Sequence, residues 1–356
     1  MPRGQTGQVT AVLPHPPSTS AAAPLPRARG PLSEALLEVL VGARPADRLP
    51  VPPGDVDPYG EDLQLALHLG YELHYRAQPG VEDALEWDPD LLRLRARLER
   101  PFLDAMRRDT SGSDDVEGAL APLLLEPTSG TGPSWHLAGD GERWQLREYV
   151  AHRSVYHLKE ADPQAFVVPR LEGQLKAAVV SVQHDEYGAG RVERMHAALF
   201  ATMMRELDLD DGYGAHVDGA PAATLAPVNL MSLLGLHRSL RGAAVGQFVM
   251  IEVTSSPGSR RLSSAFDRLS DGAAGQRFYD EHVEADAVHE QVLRAGLRDL
   301  LRREPHLAAD VVLGIEAGLL LEDRFAEHVL GAWSTGASSL RQPLEDPGPQ
   351  PPSVAR

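Results

Sequence analysis

The chain contains no cysteine. That absence removes disulfide frameworks, thiolate zinc sites, iron–sulfur clusters and cysteine nucleophiles from consideration. Any metal must be held by histidine and carboxylate, a donor set suited to iron, manganese or zinc. Lysine is nearly absent too: Lys159 and Lys176 are the only two, and arginine supplies almost all the positive charge. Positive charge is itself scarce, with 34 Lys+Arg against 51 Asp+Glu and a formal net charge of -17. So acidic a chain is a poor partner for nucleic acid or an anionic membrane surface. Long apolar runs are missing as well. The stretch from Val311 to Leu321 is interrupted by Glu316 and falls short of the ~18 residues a membrane span needs. The first residues lead into Pro, Ser and Ala rather than an apolar signal core. The expectation is a soluble, cytoplasmic protein.

What is present reads as helix. At 42% hydrophobic, 356 residues can bury a sizeable core. Residues 1–30 are rich in Pro, Ala, Ser and Arg without apolar periodicity and are expected to be disordered, as is 341–356. A Gly/Ser/Thr-rich stretch over 109–143 reads as a loop or tether around the apolar piece Leu120–Leu125. Between these breaks lie an N-terminal helical segment, 31–108, and a larger one, 144–340. In the first, Ser33 caps a short helix that Gly42 stops, 61–77 is amphipathic, and Asp88-Pro89 opens a further helix. In the second, helices are predicted over 144–161, 163–187, 191–207, 222–239, 241–255, 260–270, 273–303 and 307–333. The fold class is therefore all-α, a bundle of about seven core helices by the usual domain size.

The most informative segment is Tyr279–His289. At ~100° per residue, His282, Asp286 and His289 fall within one narrow stripe over two turns. Two neutral imidazoles and a hard anionic oxygen on one face are what a metal needs from a single helix. A solvated acidic face is the plainer account, since Glu281, Glu284 and Glu290 lie alongside. A second segment places Glu186 ten residues before His196. On one straight helix they would sit ~15 Å apart, but Gly188 and Gly190 between them offer a break. A third places Glu160 at the end of an apolar helix, where a carboxylate is often simply solvated.

Taken in order, Glu160, Glu186, His196, His282, Asp286 and His289 resemble the ligand pattern of the heme-oxygenase-like diiron oxidases and oxygenases, also called the iron-containing redox enzyme family. The resemblance extends to His157–Pro163, to Asp185–Gly188 with Met195-His196, to Asn229–Leu233, to Arg238–Ala243 and to Glu252–Ser256, and covers about 144–340. The segment 60–108 is similar to an N-terminal extension of one subgroup. The resemblance implies a heme-oxygenase-like bundle around a nonheme diiron centre, with mixed manganese–iron as a variant and O2 as co-substrate. By position, His196 and His282 would serve one iron, Asp286 and His289 the other, with Glu160 and Glu186 completing or bridging the pair. Glu252 matches a further carboxylate found in part of the family, its plainer role being a hydrogen bond to Thr254 or Ser255. The resemblance also implies an oxidation of a small organic substrate, amino-acid-like or fatty-acid-like, an external electron donor, and a homodimer with 61–77 or 90–108 at its interface or over the bundle as a lid.

Two other readings stand beside it. A heme binder or heme-degrading protein of the same fold would need an axial histidine on an early helix, for which His152 and His157 are available. A metal-free interaction module would leave the Glu/His spacing as coincidence. Asp185, Glu193, Glu281 and Glu284 are candidate acceptors for the second N–H of a ligating imidazole. Tyr187 and Tyr279 flank ligand positions as donors or packing residues. Arg194, Arg238 and Arg241 are candidates for a substrate carboxylate or for structural salt bridges.

Overall fold

In a computed structural model the described residues are 23–126 and 128–345. Among them there is no strand, and no helix is long and apolar enough to cross a membrane. The helices are α1 (Pro31–Leu40), α2 (Glu61–Glu72), α3 (Pro89–Asp109), α4 (Val116–Leu120), α5 (Pro133–Ala138), α6 (Arg143–His157), α7 (Asp162–Ala165), α8 (Gly173–Glu186), α9 (His196–Glu206), α10 (Ala222–Leu236), α11 (Arg241–Leu269), α12 (Ala274–Arg303) and α13 (Ala308–Ser334). The expected tails at 1–22 and 346–356 lie outside the described residues. Residues 23–30 and 339–342 are laid against the 216–219 loop: the Arg27 amide donates to Asp218 at 2.9 Å and the Arg341 amide to the Gly219 carbonyl at 2.9 Å.

Local chemistry explains the helix starts. Asp88 accepts from the amides of Asp90 and Leu91 at 2.9 and 3.0 Å, and Pro89 occupies the first helical position of α3, where no N–H is needed. Glu142 and Gln145 form a reciprocal capping box at the head of α6. Several predicted boundaries shift: α1 begins at Pro31, so Ser33 lies inside it rather than capping it, and the helix expected over 61–77 ends at Glu72. The stretch 163–187 divides, because Pro169 has no N–H for the helical ladder and Leu171 turns extended. Conversely, 241–255 and 260–270 join into one 29-residue helix running through Pro257. The buried faces on both sides of the proline, Val245, Val249 and Val253 before it and Leu262, Ala265 and Phe266 after it, outweigh the ~3 kcal/mol a proline costs a helix interior.

α11 is the central rib, flanked along its length by α12 and α13, with α8 and α9 laid on α12. One apolar cluster joins α8, α11, α12 and α13, and another joins α6, α9 and parts of α11–α13. A third is continuous from α1, α2 and α3 into α10 and α13, so 31–108 shares a core with the bundle. Within it α2 is buried almost all round, including Gln64, His68 and Glu72, which leaves that helix little surface for a dimer interface. In the 109–143 segment, Val116, Leu120 and Leu137 are buried while Leu125 is exposed.

α11 and α13 approach backbone to backbone at two glycines. A Cβ on Gly314 would lie 1.9 Å from the Ala243 carbonyl oxygen, and one on Gly246 would lie 2.0 Å from that of Val311. Helix propensity alone would favour alanine over glycine by roughly 1 kcal/mol. The clash reverses the sign: Gly314→Ala is expected to destabilise the chain by about 1–3 kcal/mol, the usual cost of overpacking, read as a lowered denaturation midpoint. A variant as stable as the parent would show that these helices are not in such close contact.

Candidate metal centre

Four helices and one turn converge on a buried group of acids and imidazoles. Glu160 comes from the turn after α6, Glu186 from the last residue of α8, His196 from the first of α9, Glu252 from mid-α11, and His282, Asp286 and His289 from one face of α12. All seven are buried, none more than 9% exposed. One donor atom from each of Glu160, Glu186, His196 and His282 lies within 4.8 Å of the others, and the same holds for Glu186, Glu252 and His289. Glu186 belongs to both groups.

The approach of Glu186 to His196 depends on the break between α8 and α9. Gly188 adopts φ +69° and Gly190 φ +79°, which glycine takes without strain. A Cβ on Gly188 would meet the Met195 amide at 2.6 Å, so the turn closes only over glycine. His196 Nδ1 thereby comes within 2.7 Å of Glu186 Oε2, yet the pair is not aligned as a hydrogen bond and His196 Nδ1 has no hydrogen-bond partner. The same is true of Glu160 Oε2, His282 Nε2 and Asp286 Oδ2. Buried polar atoms are normally satisfied. Unpartnered atoms on three members of one such group, Glu160, His196 and His282, fit a metal cation.

The imidazole orientations support the same fit. His282 Nδ1 donates to the Phe278 carbonyl at 2.8 Å, which leaves Nε2 as the lone-pair atom facing the group, 3.6 Å from Glu160 Oε1. His289 points Nδ1 at Glu252, 3.1 Å away, with Glu186 at 3.8 Å and Asp286 at 3.7 Å. Its Nε2 is 3.3 Å from Asp185. Of the four proposed acceptors for a second N–H, the geometry selects Asp185 for His289 and a backbone carbonyl for His282. Thr254 bonds the Met250 carbonyl instead of Glu252. His157, a candidate axial ligand in the heme reading, sits 2.7 Å from Glu160 and stacks on Phe200 at 4.7 Å. Its i, i+3 relation to Glu160 is the signal that could have found it.

Charge follows from this packing. Burial would raise the Glu160 carboxyl, but His157 and His282 beside it hold it well below the carboxylate range. Asp286 is pushed up to about 7, by burial and then by the Glu252 charge. Glu252 is also raised, burial outweighing the help of His289. Burial disfavours imidazolium, yet Glu160 lifts His282 to about 10 and Glu252 lifts His289 to about 9. The carboxylates thus draw in whatever positive charge is available, and without a cation that charge is protons, which a metal would displace.

Residues 147–323 match the model of the iron-containing redox enzyme family, whose fold is heme-oxygenase-like. The chain belongs to that family. It is accordingly an iron-dependent oxidoreductase, and the group at Glu160–His289 is a buried His/Glu cluster compatible with metal binding. No curated protein matches the chain. Of the other expected residues, Arg194 and Arg241 are ion-paired with Glu281 and Glu304, and Arg238 lines a surface cleft with Arg170 and Arg303. Tyr187 donates to Asp162 at 3.0 Å. Tyr279 is buried in the α6/α9/α11–α13 core with an unpartnered hydroxyl.

Asp286 gives a test with opposed signs. Its carboxyl is 2% exposed, has an unpartnered oxygen and faces the charge of Glu252. Asp286→Asn is expected to raise the melting temperature of the metal-free chain at pH 8 and to weaken ferrous iron binding in an anaerobic titration. A variant that loses stability without metal would show that the carboxylate is satisfied by the protein itself.

Proposed function

We propose that the protein is a nonheme diiron oxidase or oxygenase that activates O2 against a small organic substrate. The observation that carries this reading is that two donor groups, Glu160/Glu186/His196/His282 and Glu186/Glu252/His289, share one carboxylate. A single cation would engage only one of the two groups. Glu186 belongs to both, so Glu160, Glu186, His196 and His282 would hold one cation and Glu186, Glu252 and His289 a second, with Asp286 as a further oxygen donor. Three imidazoles with four carboxylates would offset the charge of two dications. Bound iron, or a manganese–iron pair, would supply the reduction of dioxygen, with electrons from an external donor.

The chain's own contribution is orientation and exclusion of water. The Phe278 carbonyl fixes the tautomer of His282. Asp185 does the same for His289 from the solvent side, its carboxylate half-exposed. Phe200 and Phe278, both fully buried, cover the face of the group beside His157. The substrate is amino-acid-like or fatty-acid-like, and the reaction an N-oxygenation, a C–C cleavage or a decarboxylation.

The heme reading is weakened at one of its two candidate axial ligands. Both ring nitrogens of His152 are engaged, with Thr224 at 2.6 Å and Ser339 at 3.0 Å. His157 engages Glu160 through Nδ1 alone.

Metal-free protein given ferrous iron under anaerobic conditions should take up two irons per chain and then consume oxygen. His289→Ala should retain one. Heme offered to the same protein should give no shifted Soret band of a bound complex. Uptake of no iron, or a stoichiometric heme complex, would sink the proposal.

A further inference from the structure

Glu160 is the one member of the group that no helix carries. It lies in the turn between α6 and α7, and the next residue, Ala161, is buried with φ +72°. A residue with a Cβ holds that left-handed conformation only where its surroundings impose it. Two tethers bracket the turn. On one side Lys159, 1% exposed, makes an ion pair with Glu72 at the end of α2. The Lys159 ammonium also sits 4.2 Å over the ring of Tyr75. The other oxygen of Glu72 accepts from the Tyr213 hydroxyl at 2.6 Å, and His68 Nε2 stands 3.8 Å from the first. On the far side Asp162 accepts from Tyr187, the residue after Glu186.

A buried ion pair is a poor means of stabilising a fold, since apolar residues of similar size often do as well or better. The identity of the cation points the same way. Of 34 Lys+Arg only two are lysine, and one of them is the fully buried partner here. A compact ammonium fits between one carboxylate oxygen and an aromatic face, where the planar guanidinium fork would demand more acceptors.

We propose that Glu72 and Lys159 are positioning residues for the metal centre: the pair fastens the turn that presents Glu160 to α2, so the 31–108 segment completes the iron site. The inference rests on the diiron reading above. It assigns the N-terminal helices a role in metal geometry through contacts that reach none of the donor atoms directly.

The test replaces both partners at once, Glu72→Leu with Lys159→Met, in the full chain, so that no buried charge is left alone. Melting temperature and anaerobic ferrous titration are read together. The expected result is an unchanged or raised melting temperature, one iron bound as in the parent, and the second bound at least tenfold more weakly. In a His289→Ala background the same double replacement should remove the remaining iron. Both irons bound at parental affinity would overturn the inference. If the double variant does not fold, Tyr213→Phe removes one hydrogen bond to Glu72 and leaves the pair; a several-fold loss at one iron upholds the proposal, and parental affinity for both overturns it. A parent chain that takes up no iron overturns the diiron reading and this inference with it, whereas a two-iron parent matched by its variants overturns this inference alone.

Discussion

Four carboxylates packed into the middle of a helical bundle set the terms for everything around them. Glu160, Glu186, Glu252 and Asp286 are each buried, and a buried charge is tolerated only when it is paired or holds a metal. The three histidines partly answer that demand, but several donor atoms remain without partners. The rest of the chain keeps these groups from separating. The long contacts of α11 with α12 and α13, and of α8 with α12, hold the carboxylates in place against their mutual repulsion. The family membership of 147–323 and the donor geometry are therefore two views of one constraint.

The way each donor is carried reflects the same demand. α12 delivers three from one face because a helix repeats its face every three to four residues. α8 and α9 deliver one each from their facing ends, where a glycine turn folds the chain back on itself. α11 supplies Glu252 from its middle, the least mobile part of a helix. Glu160 is the exception, held by side chains rather than by helical hydrogen bonds, and its neighbours Lys159 and Asp162 are accordingly both anchored.

Much of this was legible in the residues. The His282/Asp286/His289 stripe needs only the helical period, and the structure buries all three together. The Gly188/Gly190 break between Glu186 and His196 is readable because glycine alone takes those backbone angles cheaply. The Asp88-Pro89 start of α3 follows from capping chemistry. Other features depend on contacts distant in sequence, which periodicity does not carry. The continuation of α11 through Pro257 is decided by apolar burial on both sides. The integration of α2 into the main core is decided by α10, some 150 residues later. The pairing of Lys159 with Glu72 spans 87 residues, and nothing local distinguishes that lysine from a solvated one. Glu252 is set apart from its plainer role by His289, 37 residues away in sequence and 3.1 Å away in space.

The glycine turn between α8 and α9 has one more consequence. Backbone packs on backbone where Gly188 meets Met195, so the reversal behaves as a stiff clip with little freedom to open. The conformational entropy of bringing Glu186 and His196 together is lost when the chain folds, not when a cation arrives. This half of the centre is preorganised, and its affinity for a metal is not reduced by a further ordering penalty.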